Sequence, residues 1–457
     1  MSRIAIGVPV YNGALTLPET LRCIQQQHHR DIDVLISIDA GDRGSFDVIQ
    51  PFLSDSRFRC IHQSERLGWA DNLTRTFAQR DAPFFCYWQQ DDLASHNYLG
   101  ELLAVHLQQP DTSIAYTDVQ WFGERWQREQ LPSTDAASPR ERVLAYLDTQ
   151  HWIPLRGLVR TELLRNMPDF ARLRQSSPWE NGFLGHLVGC APMRRCETAL
   201  YFKRAHHGQW GSTFEKRPPS QRRADWVTRA TALLQALDHA SRPAQRGDTT
   251  ERVMTRFACA RPGQFVDHHY TAPSAPSHFV RDALALYPEH WAHRIADWAS
   301  LGGPAAQAEL HAQQARTRLL QGTGDWSLAG SGQPAGNAFL GFGWSHREAW
   351  GVWSEVDRPS LFLPPVDRPG TLRLQGLLHG AAGTRARVAW QLDHGAVGQA
   401  EIDCGSPATL EIPIRPGQAQ LWLHLPDAIS PLALGRSPDG RPLGLGLQHL
   451  HFEPGQV

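Results

Sequence analysis

A repeated pairing of short apolar runs with segments of helical spacing, over residues 1 to about 120, limits this part of the chain to a layered α/β architecture. Arg3–Val10 (RIAIGVPV), Asp33–Ile38 (DVLISI), Arg57–His62 (RFRCIH) and Ala82–Trp88 (APFFCYW) read as strands, the first of them buried. Leu15–Gln27 carries Leu17, Leu21 and Ile24 on one helical face, and Ser45–Leu53, Gly68–Gln79 and Asn97–Gln108 read as further helices. Thr112–Tyr116 reads as one more strand, and the polar stretch Gln120–Ser138 as a loop.

The pattern changes twice along the chain. Helical segments at Pro139–Thr149, Thr161–Met167 and Trp179–Val188 precede a strand that ends at Lys203, and Pro218-Pro219 then marks a boundary. From Ser220 to about Gly322 the chain reads as mainly helical, with Arg222–Ala240, Asp248–Ala260, His278–Leu286, Pro288–Ala299 and Pro304–Leu320 carrying alanine and leucine at helical spacing. After the Gly/Ser-rich stretch Gly322–Gly336, short alternating segments (Thr371–Leu377, Arg385–Leu392, Thr409–Ile414, Ala419–Leu425, Leu443–Phe452) are separated by Gly, Pro and Asp turns, an all-β sandwich signature. Three domains are expected: 1–217 α/β, 218–325 helical linker or packing domain, and 326–457 a jelly-roll-like β-sandwich. A chain of 457 residues has room for two or three.

Composition removes several function classes. The net charge of −1 argues against an electrostatically driven nucleic-acid partner. With 41% hydrophobic and 20% charged residues the chain is globular rather than disordered. No apolar run is long enough to span a bilayer, and the opening MSRIAIGVPVYNG lacks the basic–apolar–small layout of a signal peptide. Seven scattered cysteines without a CxxC pair argue against a disulfide scaffold or zinc site. The expected location is cytoplasmic, with peripheral contact at the inner face of a membrane left open. Arginines outnumber lysines 43 to two, which reads as codon bias, and sixteen tryptophans supply core residues or flat surfaces for sugars and bases.

In open α/β sheets ligands bind outside the carboxyl ends of the strands, so the residues there matter most. The first strand runs into Pro9-Val10-Tyr11-Asn12-Gly13, which is not GxGxxG and makes a dinucleotide-dependent dehydrogenase a poor fit. The second ends at Asp39 and Asp42, and the fourth at Gln89-Gln90-Asp91-Asp92. Acids at two strand ends suit a pocket that takes a divalent cation, which in turn takes a diphosphate. Taken singly, each of these residues is equally at home as a turn former or helix cap.

Taken in order, IAIGVPVYNG, DVLISIDAGD, RLGWADNLTRTF and YWQQDDL resemble the nucleotide-binding half of a family 2 glycosyltransferase of GT-A fold, a Rossmann-like nucleotide-sugar transferase domain. The likeness is specific over residues 1–120 and continues, more thinly, to about residue 215. It implies that Pro9, Tyr11 and Asn12 line the pocket for base and ribose, and that Asp39 accepts a hydrogen bond from the base. Arg66, Gly68 and Asn72 would border the donor pocket, and Asp91 and Asp92 would hold Mn²⁺ or Mg²⁺ against the diphosphate. Gln89 departs from the family pattern, which has an acid there; an amide can bond a ribose hydroxyl but adds no charge.

Pro178-Trp179-Glu180-Asn181-Gly182 resembles the W-x-E-D region of the same family, so Glu180 is the candidate base that takes the acceptor's proton, with Trp179 and Asn181 as acceptor contacts. Asn181 replaces the second acid and cannot be a base. The alternative for Glu180 is a place in a helix's first turn, where a negative charge suits the dipole. Tyr201-Phe202-Lys203-Arg204-Ala205-His206-His207 resembles the family's L-Y-x-x-R-x-H, which implies that Lys203 and Arg204 meet the leaving diphosphate and that His206, with His207 as rival, completes the metal site.

The resemblance implies an inverting, metal-dependent transfer from a UDP-, GDP- or dTDP-sugar to a glycan or lipid-linked acceptor in surface polysaccharide synthesis. Two other readings stand beside it. A sugar nucleotidyltransferase calls for a basic Gly-rich loop, yet Val10–Leu15 has no Lys or Arg. A glycan-binding protein with a degenerate transferase domain draws support from Gln89 and Asn181. In the carboxy-terminal third, Trp344, Trp350 and Trp353 either form an aromatic platform for a glycan or fill the sandwich core.

Overall fold

The computed structural model describes residues 2–77, 81–165, 179–206, 217–258, 275–302, 307, 325–329, 338–345, 347–363, 366–393, 395 and 397–455. The expected helix Pro304–Leu320, the end of Thr161–Met167, the end of Asp248–Ala260, Pro178 and His207 lie wholly or largely outside these residues. Contacts divide the chain into two compact units, Met1–Ser212 with Thr228–Pro243, and Thr213–Val227 with Ala244–Val457; the division falls within the helix Pro219–Ala240.

The first unit is built on one sheet of β1 (Ile4–Val10), β2 (Ile32–Ile38), β3 (Phe58–His62), β4 (Phe84–Tyr87), β5 (Leu93–Ala94), β6 (Ile114–Gly123), β7 (Arg128–Glu129), β8 (Leu158–Arg160) and β9 (Met193–Ala205). Its order is β3-β2-β1-β4-β8-β6-β9-β5, with β7 paired to β6. β1 pairs parallel with both β2 and β4, and β2 with β3. Every residue of β1 is buried, as continuous apolar runs in a sheet covered on both faces require. β8 runs antiparallel to both β4 and β6, so β6 points the same way as β4, and β9 pairs parallel with β6. The carboxyl ends of β1, β2, β4, β6 and β9 therefore share one edge.

The supposed loop Gln120–Ser138 begins as the second half of β6, which runs to Gly123 and turns back as β7. Its outer residues Gln120, Trp121 and Phe122 lie beside Phe202, Lys203 and Arg204 of β9, and this cross-strand pairing outweighs the local polarity of the segment. The helix Trp179–Cys190 packs through Gly185 against Leu233 and Ala236, where a Cβ would meet their side chains at 3.0 and 3.2 Å.

The second unit contains β10 (Asp325–Ser327), β11 (Val352–Trp353), β12 (Ser360–Phe362), β13 (Gly370–Leu378), β14 (Arg385–Leu392), β15 (Val397–Asp403), β16 (Pro407–Ile414), β17 (Gln420–His424) and β18 (Leu445–Pro454). One antiparallel sheet has the order β10-β18-β13-β16 with β11 paired to β18, and the other β12-β17-β14-β15. Leu372, Leu374 and Leu450 from the first and Val388, Leu392, Leu421 and Leu423 from the second share one core. The helices Arg246–Ala258, Ala275–Leu286 and Pro288–Ser300 belong to the same unit. Arg223, with no exposed surface, pairs with Asp282 at 2.5 Å and Glu355 at 3.1 Å, and Arg441 reaches the other oxygen of Glu355 at 2.6 Å. Helix and sandwich are thus joined by a buried ion-pair network as well as by the Ala285–Phe342–Val356 cluster. Trp344 is a core residue whose indole N–H donates to the Ser360 carbonyl at 2.6 Å.

Candidate active site

The edge where the strands end gathers most of the residues named from sequence. Pro9 is buried in β1, opposite Ser37. Just past the strand, the Tyr11 ring lies under the Arg66 guanidinium, 3.1 Å from its carbon to the ring centroid. Asn12 adopts a left-handed conformation (φ 50°); its N–H donates to Asp42 at 2.5 Å and its side-chain oxygen accepts from the Arg43 N–H at 3.1 Å. Asn and Asp tolerate such turns because their short side chains bond the local backbone. Gln90, unassigned from sequence, locks the two strand ends together: its amide accepts from the Tyr11 N–H at 2.8 Å and donates to the Tyr11 carbonyl at 3.0 Å.

Asp39 and Asn72 turn out to hold the frame. Asp39 is buried and accepts from the N–H groups of Leu67 (2.8 Å) and Gly68 (2.9 Å), with Arg66 at 3.4 Å. Gly68 starts its helix at φ 77°, a conformation that glycine adopts without strain. Asn72 is bonded to Ser37 on both sides of its amide, accepting at 2.6 Å and donating at 3.0 Å. Expected at the pocket border, Asn72 is buried and ties its helix to β2.

The acidic pair divides its labour. Asp92 is fully buried and accepts from the Arg204 N–H at 2.9 Å and the Tyr201 hydroxyl at 3.0 Å. Arg156 and Lys203 stand 4.0 and 3.9 Å from it. Burial pushes its carboxyl above the ordinary range, against the pull of Lys203. Asp92, expected as a second metal ligand, fastens β9 to the end of β4 through both of its oxygens. Asp91 differs: its Oδ2 lies 2.9 Å from His206 Nε2, while Oδ1 is buried without a hydrogen-bond partner. A buried carboxylate oxygen left bare is costly unless a ligand completes it. An acid oxygen lacking a partner beside an imidazole is a donor set that suits a divalent cation whose remaining ligands are phosphate oxygens and water. Among the described residues no three acid, His or Cys side chains cluster around one point, so phosphate oxygens would have to complete the coordination.

Where the family pattern has an acid, Gln89 Oε1 accepts from Arg156 at 2.7 Å and Lys203 at 3.1 Å. The Lys203 ammonium also lies 5.2 and 5.3 Å from the ring centroids of Trp121 and Trp152, and burial pulls its pKa down, against Asp92. Arg204 is spent locally: its guanidinium donates to the Asp91 carbonyl at 3.0 Å and to Glu19 at 2.5 Å.

Glu180 sits in the first turn of the helix Trp179–Cys190. Burial raises its pKa, opposed in turn by Arg156, Arg229 and Lys203. A carboxylate held above its ordinary range while surrounded by cations is suited to take a proton near neutrality. Asn181, expected as an acceptor contact, is buried and accepts from the Tyr146 hydroxyl at 3.5 Å. The side chain of Trp179, like His207, lies outside the described residues.

Sequence reasoning missed Arg156, and nothing in its surroundings (HWIPLRG) signals it; a short 3₁₀ turn, Ile153–Arg156, carries it into the site. It also passed over the Tyr201 hydroxyl, although strand alternation puts Tyr201 and Lys203 on one face of β9.

A family model described as glycosyl transferase family 2 matches residues 5–166. No curated protein matches the chain. Among solved structures, that of S. aureus TarS is 10% identical with a TM-score of 0.47, the match covering 100% of this chain and 86% of that one. TarS 1–349 in complex with UDP-GlcNAc is 12% identical over 68% of this chain and 92% of that one, with a TM-score of 0.41. The mannosyltransferase PcManGT from Pyrobaculum calidifontis, in complex with GDP-Man and Mn²⁺, is 14% identical over 69% and 80%, with a TM-score of 0.35. Residues 5–166 thus form a glycosyl transferase family 2 domain, the catalytic domain of a glycosyltransferase.

Proposed function

We propose that this protein is a metal-dependent glycosyltransferase that moves a sugar from a nucleotide-diphosphate sugar to a hydroxyl of a glycan or lipid-linked acceptor, with inversion, in surface polysaccharide synthesis. The observation that carries the reading is the Asp91–His206 pair, with one buried carboxylate oxygen bare, at the edge that Tyr11, Gln89, Lys203 and Glu180 also approach. Asp91 and His206 would hold Mn²⁺ or Mg²⁺, whose chemistry when bound is to neutralise a diphosphate.

The rest is done by side chains. Tyr11, stacked under Arg66, offers a flat face to a nucleobase. Gln89 accepts from both Arg156 and Lys203 and so holds the two cations together, and Lys203 offsets charge that develops on a leaving group. Glu180 accepts the acceptor's proton as its oxygen attacks; a base on the face opposite the leaving group gives inversion. Asp92, Tyr201 and Gln90 keep these groups in register. Among the described residues no helix is long and apolar enough to cross a membrane.

The test is hydrolysis of UDP-, GDP- and dTDP-sugars with and without Mn²⁺. Turnover is expected to require the metal and to fall by at least about tenfold in Asp91→Ala, in line with the cost of disturbing a metal site. Full metal-dependent turnover in that variant would remove Asp91 from the site.

A further inference from the structure

The second unit carries an aromatic feature that the transferase reading does not use. Trp344 is absorbed by the core, but Trp350 and Trp353 belong neither to the core cluster nor to its partly buried rim. Strand alternation explains why. In β11 the neighbour Val352 points into the core, so Trp353 points to the outer face of the sheet. There the indoles of Trp350 and Trp353 lie half-buried with ring centroids 4.8 Å apart and planes inclined at 58°. His379, which follows the core residue Leu378, stands edge-on to Trp353 at 5.6 Å.

The strand beneath is adapted to these rings. Trp353 is paired across the ladder with Gly446, and a Cβ at Gly446 would come within 2.9 Å of ring atoms of both indoles. A residue without a side chain lets both rings rest directly on the backbone of β18. Their orientation is fixed as well, since the Trp350 indole N–H donates to Glu348 at 2.8 Å. The rim is polar. Asp439 is paired with Arg441 at 2.6 Å, and Arg436 and Asp439 act on the His379 ring with opposite signs. His379 Nε2 is buried without a hydrogen-bond partner.

Preset indoles beside an unused ring nitrogen match the C–H faces and hydroxyls of a pyranose, and the Glu348 carboxylate bonded to Trp350 disfavours an anionic one. We propose that Trp350, Trp353 and His379 form a sugar-binding subsite on the outer face of the five-stranded sheet, which takes an uncharged hexopyranose chain. The subsite stands apart from the transferase reading and does not depend on it.

The experiment uses the full chain, with maltohexaose, cellohexaose, laminarihexaose and chitohexaose as probes, followed by tryptophan fluorescence and calorimetry. At least one of the four is expected to quench the fluorescence and bind, and Trp350→Ala and Trp353→Ala are each expected to weaken that binding at least tenfold. UDP binding and the thermal midpoint should stay unchanged, which shows that the variants fold. Should an alanine variant lower the midpoint, Trp353→Phe and His379→Ala supply the same comparison with less loss of packing. No binding of any probe by the natural chain, or binding that these variants leave intact, overturns the proposal. Saccharide binding without any nucleotide binding would strike the transferase reading alone.

Discussion

Both units bury arginine among carboxylates, and they finish the job differently. In the second unit Arg223 meets Asp282 and Glu355, and Glu355 meets Arg441, so acids and bases answer one another side chain to side chain. In the first unit Arg156 and Lys203 share the neutral oxygen of Gln89, Asp91 keeps one buried oxygen bare, and Glu180 keeps a raised pKa. Charge matched within the protein holds a fold together; charge left partly unmatched is available to a substrate. The difference lies in the acids rather than in burial: every carboxylate oxygen of Asp282 and Glu355 has a partner, whereas Asp91 keeps one bare.

The sharpest way to probe that contrast is Glu180→Gln, which keeps shape and removes the base. Transfer should fall by about 10²–10⁴-fold, the usual worth of a positioned general base, while titration with a nucleotide diphosphate shows unchanged binding. Unchanged transfer would leave Glu180 with its helix dipole and nothing more.

Arg223→Leu tests the other side. Removing one partner of a buried pair leaves its carboxylates uncompensated, so denaturant unfolding should show a loss of about 3–5 kcal/mol. Nucleotide binding measured well below the new midpoint should persist. A stability change near zero would make the network ornamental and the contrast empty.

The smallest effect is expected from pH. Glu180 has a folded pKa above its unfolded value, so between the two the folded state binds more protons and stability declines as pH rises. The rate should move the other way, rising with pH as Glu180 ionises and levelling off above its folded pKa. Glu180→Gln should make the stability slope in that window shallower, leaving the share that Asp92, also raised by burial, contributes; an unchanged slope would assign the titration to other groups.

Much of the first unit was legible because its strands are buried apolar runs and its helices carry one-sided spacing. β1 to β4 and their helices lie within a few residues of where periodicity puts them. The far half of β6 was not legible, since Gln120–Phe122 gains its strand geometry from β9, distant in sequence. The site divides in the same way. Asp91 meets His206, and Gln89 meets Lys203, across the ends of β4 and β9. Asp92, Asn72 and Asn181 bond Tyr201, Ser37 and Tyr146, partners remote in sequence that periodicity does not reveal.

Residue order alone determined the α/β layering, the β-rich carboxy-terminal region and the strand ends at which polar groups collect, because backbone periodicity is a local property. Which of two adjacent acids keeps a bare oxygen, which of three tryptophans is absorbed by the core, and the arrival of Arg156 at Gln89 were decided only in three dimensions. Hydrogen-bond saturation and burial depend on neighbours remote in sequence, and those neighbours exist only once the sheet has formed.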